Sequence, residues 1–239
     1  MKIGLFIPCY INQYYPGVGI ATLKLLQKHG FEVDYPTGQT CCGQPLANSG
    51  YERLTHYAIN HFSTLFRKYD VIVSPSASCI LFVKEHPKFQ PGHHQKIQEL
   101  SDFLVEQGLT DYSGTSFPKK VGVLQSCHGL RGLHLGSSTE IVGENGDSTI
   151  VKLLHNVSDI QLIGLDRPDD CCGFGGTFSV KEPALSVKMG NDRLDDFIRN
   201  GAEVITGTDM SCLMHLEGVI KKQRMPLEVM HFSEIICQE

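Results

Sequence analysis

The sequence predicts an α/β protein made of two similar, pseudo-repeated halves, each with a mainly parallel β-sheet flanked by helices. Three observations carry this. KIGLFIPC (2–9) and KVGVLQSC (120–127) share a pattern of Lys, a β-branched residue, Gly, an apolar pair and a closing Cys. DVIVSPSASC (70–79) and EVITGTDMSC (203–212) share another, opening on an acidic residue with Val-Ile and closing on Ser-Cys. Amphipathic stretches of helical period lie between the strand-like segments, the alternation that builds parallel sheets.

The elements follow in order. Residues 2–9 form a short apolar run ended by turn-forming residues, the signature of a buried strand. YPGVGIATLKLLQKHG (15–30) reads as a helix, with Pro16 near its start and Gly30 at its end. Val18, Ala21 and Leu25 fall on one face and Lys24, Gln27 and Lys28 on the other. FEVDY (31–35) then reads as a strand, completing a βαβ unit. The polar GLTDYSGTSFPKK (108–120) joins the halves, which gives units of 1–115 and 116–239. In the second unit, LGSSTEIVGENGDS (135–148) reads as a surface loop. SVKEPALSVKMGNDRLDDFIRNG (179–201) reads as one helix feeding the strand AEVITG (202–207).

Composition narrows the function. The formal net charge is −5 and there is no dense run of Lys and Arg, which argues against a nucleic-acid partner. The apolar runs fall short of the roughly 20 residues that span a bilayer. The opening MKIGLFIPCY is too short in its apolar part for a secretory leader, and Pro8 interrupts it. The chain therefore reads as soluble and cytoplasmic.

The nine cysteines carry the chemistry. In a reducing compartment such a set points to metal binding or catalysis rather than to disulfides. Each half repeats one order: Cys9, the doublet Cys41-Cys42 and Cys79 in the first; Cys127, the doublet Cys171-Cys172 and Cys212 in the second. In open parallel sheets, sites lie beyond the carboxyl ends of strands, where Cys9, Cys79, Cys127 and Cys212 fall. Structural zinc favours Cys-x₂₋₄-Cys knuckles, and the chain has none. Neighbouring thiolates can bind different irons of one cluster, and four cysteines per half is the usual ligand number. Gly43, Gly173 and Gly175 follow the doublets and let the backbone approach a cluster and aim N–H groups at its sulfurs. A redox dithiol and a non-catalytic scaffold, binding zinc or nothing, remain as alternatives.

At PCY, TCCGQP, SCHGLRGL, CCGFGGTFSVK and SCLMHLEG the chain resembles the proteins with duplicated cysteine-rich CCG domains. These include the cysteine-rich chain of heterodisulfide reductase, the glycolate oxidase iron–sulfur subunit and the lactate-utilisation A group. The resemblance spans essentially the whole chain. It implies an iron–sulfur cluster in each half, held by Cys9, Cys41, Cys42 and Cys79, and by Cys127, Cys171, Cys172 and Cys212. It also implies sister subunits, including a ferredoxin-like iron–sulfur protein, with which the chain oxidises L-lactate to pyruvate by electron transfer. The family pattern ends in Cys-x-x-Cys, whereas here Ser76 and Asp209 hold the earlier position. That favours an ordinary [4Fe–4S] cluster, or an incomplete site, over the five-cysteine non-cubane type. Asp209 is then an oxygen ligand or a hydrogen-bonding neighbour.

Other residues stand beside the cysteines. His128 is a candidate donor to a cluster sulfur or a proton carrier, or else a histidine satisfied by a backbone carbonyl. Arg131 is a candidate for a substrate or partner carboxylate, or for a surface ion pair. Asp169 and Asp170 bound the second doublet or cap a turn. His93 and His94 carry no chemistry, and Cys237 reads as a helix-buried thiol. GVGIAT lacks the third glycine of a dinucleotide fingerprint. Hydride chemistry then falls to a partner, so the chain is a subunit of an oxidoreductase rather than a complete enzyme. A thiol or heterodisulfide reductase-type subunit and a glycolate oxidase iron–sulfur subunit are the alternatives.

Overall fold

In the computed structural model, which describes residues 1–89, 91, 95–136 and 148–238, the repeat is visible as two four-stranded parallel sheets. The first unit runs β1 (Lys2–Leu5), α1 (Cys9–Tyr14), α2 (Pro16–Lys28), β2 (Glu32–Asp34), α3 (Gln44–Asn48), α4 (Glu52–Phe66), β3 (Val71–Ser74), α5 (Ala77–Glu85), β4 (Lys96–Glu99) and α6 (Leu100–Glu106). The second runs β5 (Lys120–Leu124), a π-helical turn (His128–Gly132), α7 (Thr149–Leu154), β6 (Gln161–Ile163), α8 (Phe178–Lys181), α9 (Pro183–Arg199), β7 (Val204–Gly207), α10 (Met210–Gln223), β8 (Glu228–Val229) and α11 (Phe232–Ile236). His93, His94 and most of the 135–148 loop lie outside the described residues.

The sheet orders are β2-β1-β3-β4 and β6-β5-β7-β8. Equivalent registers repeat, with Gly4 opposite Ile72 and Gly122 opposite Ile205. Those two glycines are needed for close packing. A Cβ on Gly4 would come within 2.7 Å of the Tyr69 ring, and one on Gly122 within 2.6 Å of Phe197. The central strands are buried along their length, as expected where helices cover both faces of a parallel sheet. One apolar core runs through both units, from Leu5, Leu25 and Phe103 to Val121, Leu213 and Phe232.

Helix α2 forms as expected, with Pro16 in its first turn and Gly30 at φ +79° just past its end. The stretch expected as one helix over 179–201 is instead two. Pro183 opens α9, and Glu182, at φ −126° and ψ 59°, separates it from α8. A residue before proline is pushed out of the helical region.

The terminal helix of each unit begins on a buried titratable cap. Glu99 caps α6 and His231 caps α11. Glu99 Oε2 accepts from the backbone N–H groups of Ser101 and Asp102, while Oε1 has no partner among the described residues. Burial pushes this carboxyl up from 4.5 to about 8. Because the folded value is raised, the stabilisation is full below pH 4.5 and is lost as pH rises through about 8. Thermal melts across that window are expected to show wild type losing stability with rising pH more steeply than Glu99→Gln. Parallel pH profiles would assign the loss to other groups.

Candidate metal centre

In a sheet of order 2-1-3-4 the chain reverses direction between β1 and β3, and a crevice opens beyond their carboxyl ends. Cys9 sits at the start of α1, which follows β1, and Cys79 in the first turn of α5, which follows β3. The doublet Cys41-Cys42 comes from the loop between β2 and α3. The second unit repeats this around β5 and β7. Cys79 and Cys212 thus stand within the helix that follows a strand rather than at the strand end, because Ser76 and Asp209 have already capped α5 and α10.

The four thiols of each unit form a chain of contacts. In the first it runs Cys9, Cys41, Cys42, Cys79, with 3.5 Å between the last two sulfurs. In the second it runs Cys127, Cys171, Cys172, Cys212. Cys42, Cys79, Cys172 and Cys212 are buried, whereas Cys9 and Cys171 are exposed. Hydrogen bonds from Cys42 and Cys9 hold the Cys41 thiol well below its usual range, with the Gly43 N–H assisting. Cys171 is lowered in the same way by Cys127 and Cys172, with the Gly173 N–H and the Arg131 charge assisting. Each quartet therefore favours one thiolate, at Cys41 or Cys171, while hydrogen bonds to neighbouring sulfurs and burial push Cys9, Cys42, Cys127 and Cys172 up.

All eight cysteines line one cavity of about 380 Å³, shared by the two units. Backbone N–H groups reach their sulfurs: Gly43 to Cys41 at 3.4 Å, Gly173 to Cys171 at 3.5 Å and Phe174 to Cys172 at 3.5 Å. The glycines hold φ +99° at Gly43, +87° at Gly173 and +54° at Gly175. Their missing Cβ matters on the side away from the sulfurs. A Cβ on Gly173 would lie 2.7 Å from the Ser186 carbonyl oxygen, and one on Gly43 would lie 3.3 Å from the Thr55 Cβ. Glycine here lets the loop fit against the helix behind it while turning its N–H toward sulfur.

No group of three or more His, Cys, Asp or Glu side chains among the described residues is arranged to hold a metal ion. The donors nonetheless suit a cluster: four thiols per unit, N–H donors at their sulfurs and a cavity they share.

The residues beside the cysteines cross between units. His128 Nε2 accepts from the Gln44 side-chain amide at 3.3 Å, which leaves Nδ1 to donate to Cys127 Sγ at 3.7 Å. The Tyr10 hydroxyl meets Ser76 at 2.8 Å and Asp209 at 3.2 Å. Ser76 and Asp209 form an antiparallel bridge. The Asp209 carboxylate accepts from Tyr10, Ser211 and Ser78, with three donors on Oδ1 and one on Oδ2. Asp170 pairs with Arg167 at 2.8 Å, and Asp169 is buried. Cys237 differs from its reading as helix-buried: it lies just past the end of α11 and is half-buried.

The sequence reading did not reach Tyr10, Gln39, Gln44 or Arg193. Gln39 clasps the end of β1, accepting from Ile7 N at 3.0 Å and donating to the Leu5 carbonyl at 2.9 Å. Arg193, 1% exposed, donates to the Arg167 and Pro168 carbonyls and so holds the approach to Cys171. An arginine on the Ser186, Gly190, Leu194 and Phe197 face of α9 was the available signal.

Comparison with known proteins agrees with this organisation. The model of the cysteine-rich CCG domain matches residues 3–84 and 121–217. Lactate utilization protein A of Exiguobacterium sp. is 38% identical, covering 98% of this chain and 96% of that protein. The protein of the same name from Bacillus licheniformis is 37% identical, covering 99% of each. Among solved structures, glutamate racemase from Aquifex pyrophilus gives a TM-score of 0.38 at 16% identity, covering 99% of this chain and 81% of that one. That likeness is too distant to bear on function.

Proposed function

The chain belongs to the family of cysteine-rich CCG-domain proteins that includes lactate utilization protein A, and from this we propose that it is a cytoplasmic iron–sulfur electron-transfer subunit of a complex oxidising L-lactate to pyruvate. The observation that carries the reading is the pair of thiol quartets opening on one cavity. Cys9, Cys41, Cys42 and Cys79 would hold one [4Fe–4S] cluster, and Cys127, Cys171, Cys172 and Cys212 a second. Such clusters, when bound, supply one-electron transfer. Two centres match the two electrons that leave lactate.

This chain's own residues set the environment. The Gly43, Gly173 and Phe174 N–H groups offer hydrogen bonds to the ligand sulfurs, which favours the reduced state. His128 offers another from Nδ1. Removal of hydride from lactate is assigned to a sister subunit, and a ferredoxin-like iron–sulfur protein is the electron partner. Val180, 80% exposed, lines the cavity, as do Pro45 and Asn48 on either side of the exposed Leu46. The exposed Val180, Pro45 and Leu46 offer apolar surface beside the cavity on which a sister subunit would dock. Val180→Asp is expected to weaken the complex with the sister subunits at least tenfold while leaving iron content unchanged. Unchanged affinity in a pull-down titration would place the interface elsewhere.

A thiol or heterodisulfide reductase-type subunit is the second reading, favoured by the room between the quartets. The deciding experiment mixes anaerobic protein with its sister subunits and adds L-lactate. Paramagnetic signals of reduced clusters are expected, and their absence with lactate but appearance with glycolate or a thiol substrate would reassign the complex.

A further inference from the structure

One buried carboxylate touches cysteine-bearing segments of both units. Asp209, 1% exposed, caps α10 by accepting from Ser211 N at 3.2 Å and Ser211 Oγ at 2.8 Å, one residue before Cys212. Its other oxygen accepts from Ser78 N at 2.8 Å, one residue before Cys79 in the opposite unit. The Tyr10 hydroxyl, whose residue follows Cys9, donates at 3.2 Å to the oxygen that caps α10. Three of these donors meet Oδ1 and one meets Oδ2. The backbone closes the same seam, with Ala77 N donating to the Thr208 carbonyl at 3.3 Å. The side chain of the equivalent Ser76 caps its own helix and meets Tyr10 of its own unit.

We propose that Asp209 is a positioning residue that holds cysteine-bearing segments of both quartets, so that its removal disturbs both iron–sulfur sites at once, although each site fills on its own four cysteines. This rests on the cluster reading. Physically, Cys9, Cys79 and Cys212 each lie one residue from a group bonded to the same buried charge. Movement of one segment therefore strains the others, since a buried carboxylate stripped of donors is costly. Asn at this position presents N–H to a backbone N–H whichever way its amide turns, so one unit loses its link.

The test counts iron and records electron paramagnetic resonance spectra after anaerobic reconstitution of wild type and variants. Cys172→Ser and Cys42→Ser each disable one site and so identify the signal of the other. Asp209→Ala is expected to retain fewer irons than Cys172→Ser and to alter both signals. Asp209→Ala keeping the first-unit signal that survives in Cys172→Ser would overturn the proposal. If Asp209→Ala fails to fold by circular dichroism, Asp209→Asn and Tyr10→Phe decide. Tyr10→Phe leaves the Ser211 cap intact, yet is expected to shift the second-unit signal seen in Cys42→Ser; an unmoved signal contradicts the coupling. Wild type without iron would overturn the cluster reading and the proposal with it. That outcome is distinct from iron-loaded wild type whose sites respond independently.

Discussion

Cys172→Ser is expected to lower the iron of anaerobically purified protein from about eight to about four atoms per chain, with acid-labile sulfide falling in step. Cys172 is 5% exposed, and its sulfur lies between Cys171 and Cys212 while accepting from Phe174 N. Serine fills nearly the same volume and keeps that N–H satisfied, so the fold should tolerate it. Its hydroxyl does not ionise as a thiol does, leaving three thiolates where a four-iron cluster takes four. The second unit then empties while the first keeps its own four cysteines. Iron staying near eight would remove Cys172 from the ligand set. Loss of all iron would show that the first site requires an intact second one.

Gly173→Ala is expected to destabilise the chain by about 2–5 kcal/mol and to abolish the second-unit site. Two costs add. At φ +87° a Cβ meets left-handed strain of about 1–2 kcal/mol. That Cβ would also sit 2.7 Å from the Ser186 carbonyl oxygen and 2.8 Å from Met189 Cβ, and overpacking costs about 1–3 kcal/mol. Backbone on α9 cannot yield as a flexible side chain can, so the loop bearing Cys171 and Cys172 must move. Ser186 Oγ donates to the Gly173 carbonyl at 2.8 Å, and that bond breaks too. Gly43→Ala, whose nearest contact is 3.3 Å from a side-chain carbon, pays mainly the conformational cost. Urea denaturation together with iron content separates the two variants. Equal losses would place the glycine requirement in the backbone angle alone.

Much of the architecture was legible because the chain repeats itself. KIGLFIPC and KVGVLQSC became β1 and β5, and DVIV and EVIT became β3 and β7. The cysteine order within each repeat then placed both quartets at equivalent points of two sheets. Local periodicity failed where local signals were mixed. The reading ran through Pro183 because helical spacing continues on both sides of it. It left 44–66 unassigned because α3 is short and α4 places Thr55 and Ser63 on its buried face beside Ile59, Phe62 and Phe66. What joins the units was not legible. Tyr10 and Asp209 are 199 residues apart, and no spacing rule links a tyrosine beside one cysteine to an aspartate beside another. The substitution of a family cysteine by Asp209 was visible; its role as a double-sided cap required the fold.

The measurement closest to the central claim is iron and acid-labile sulfide per chain on wild-type protein purified without oxygen. Two four-iron clusters, one per quartet, predict about eight of each. Four of each would restrict the claim to one unit, and little iron, or zinc in its place, would contradict it.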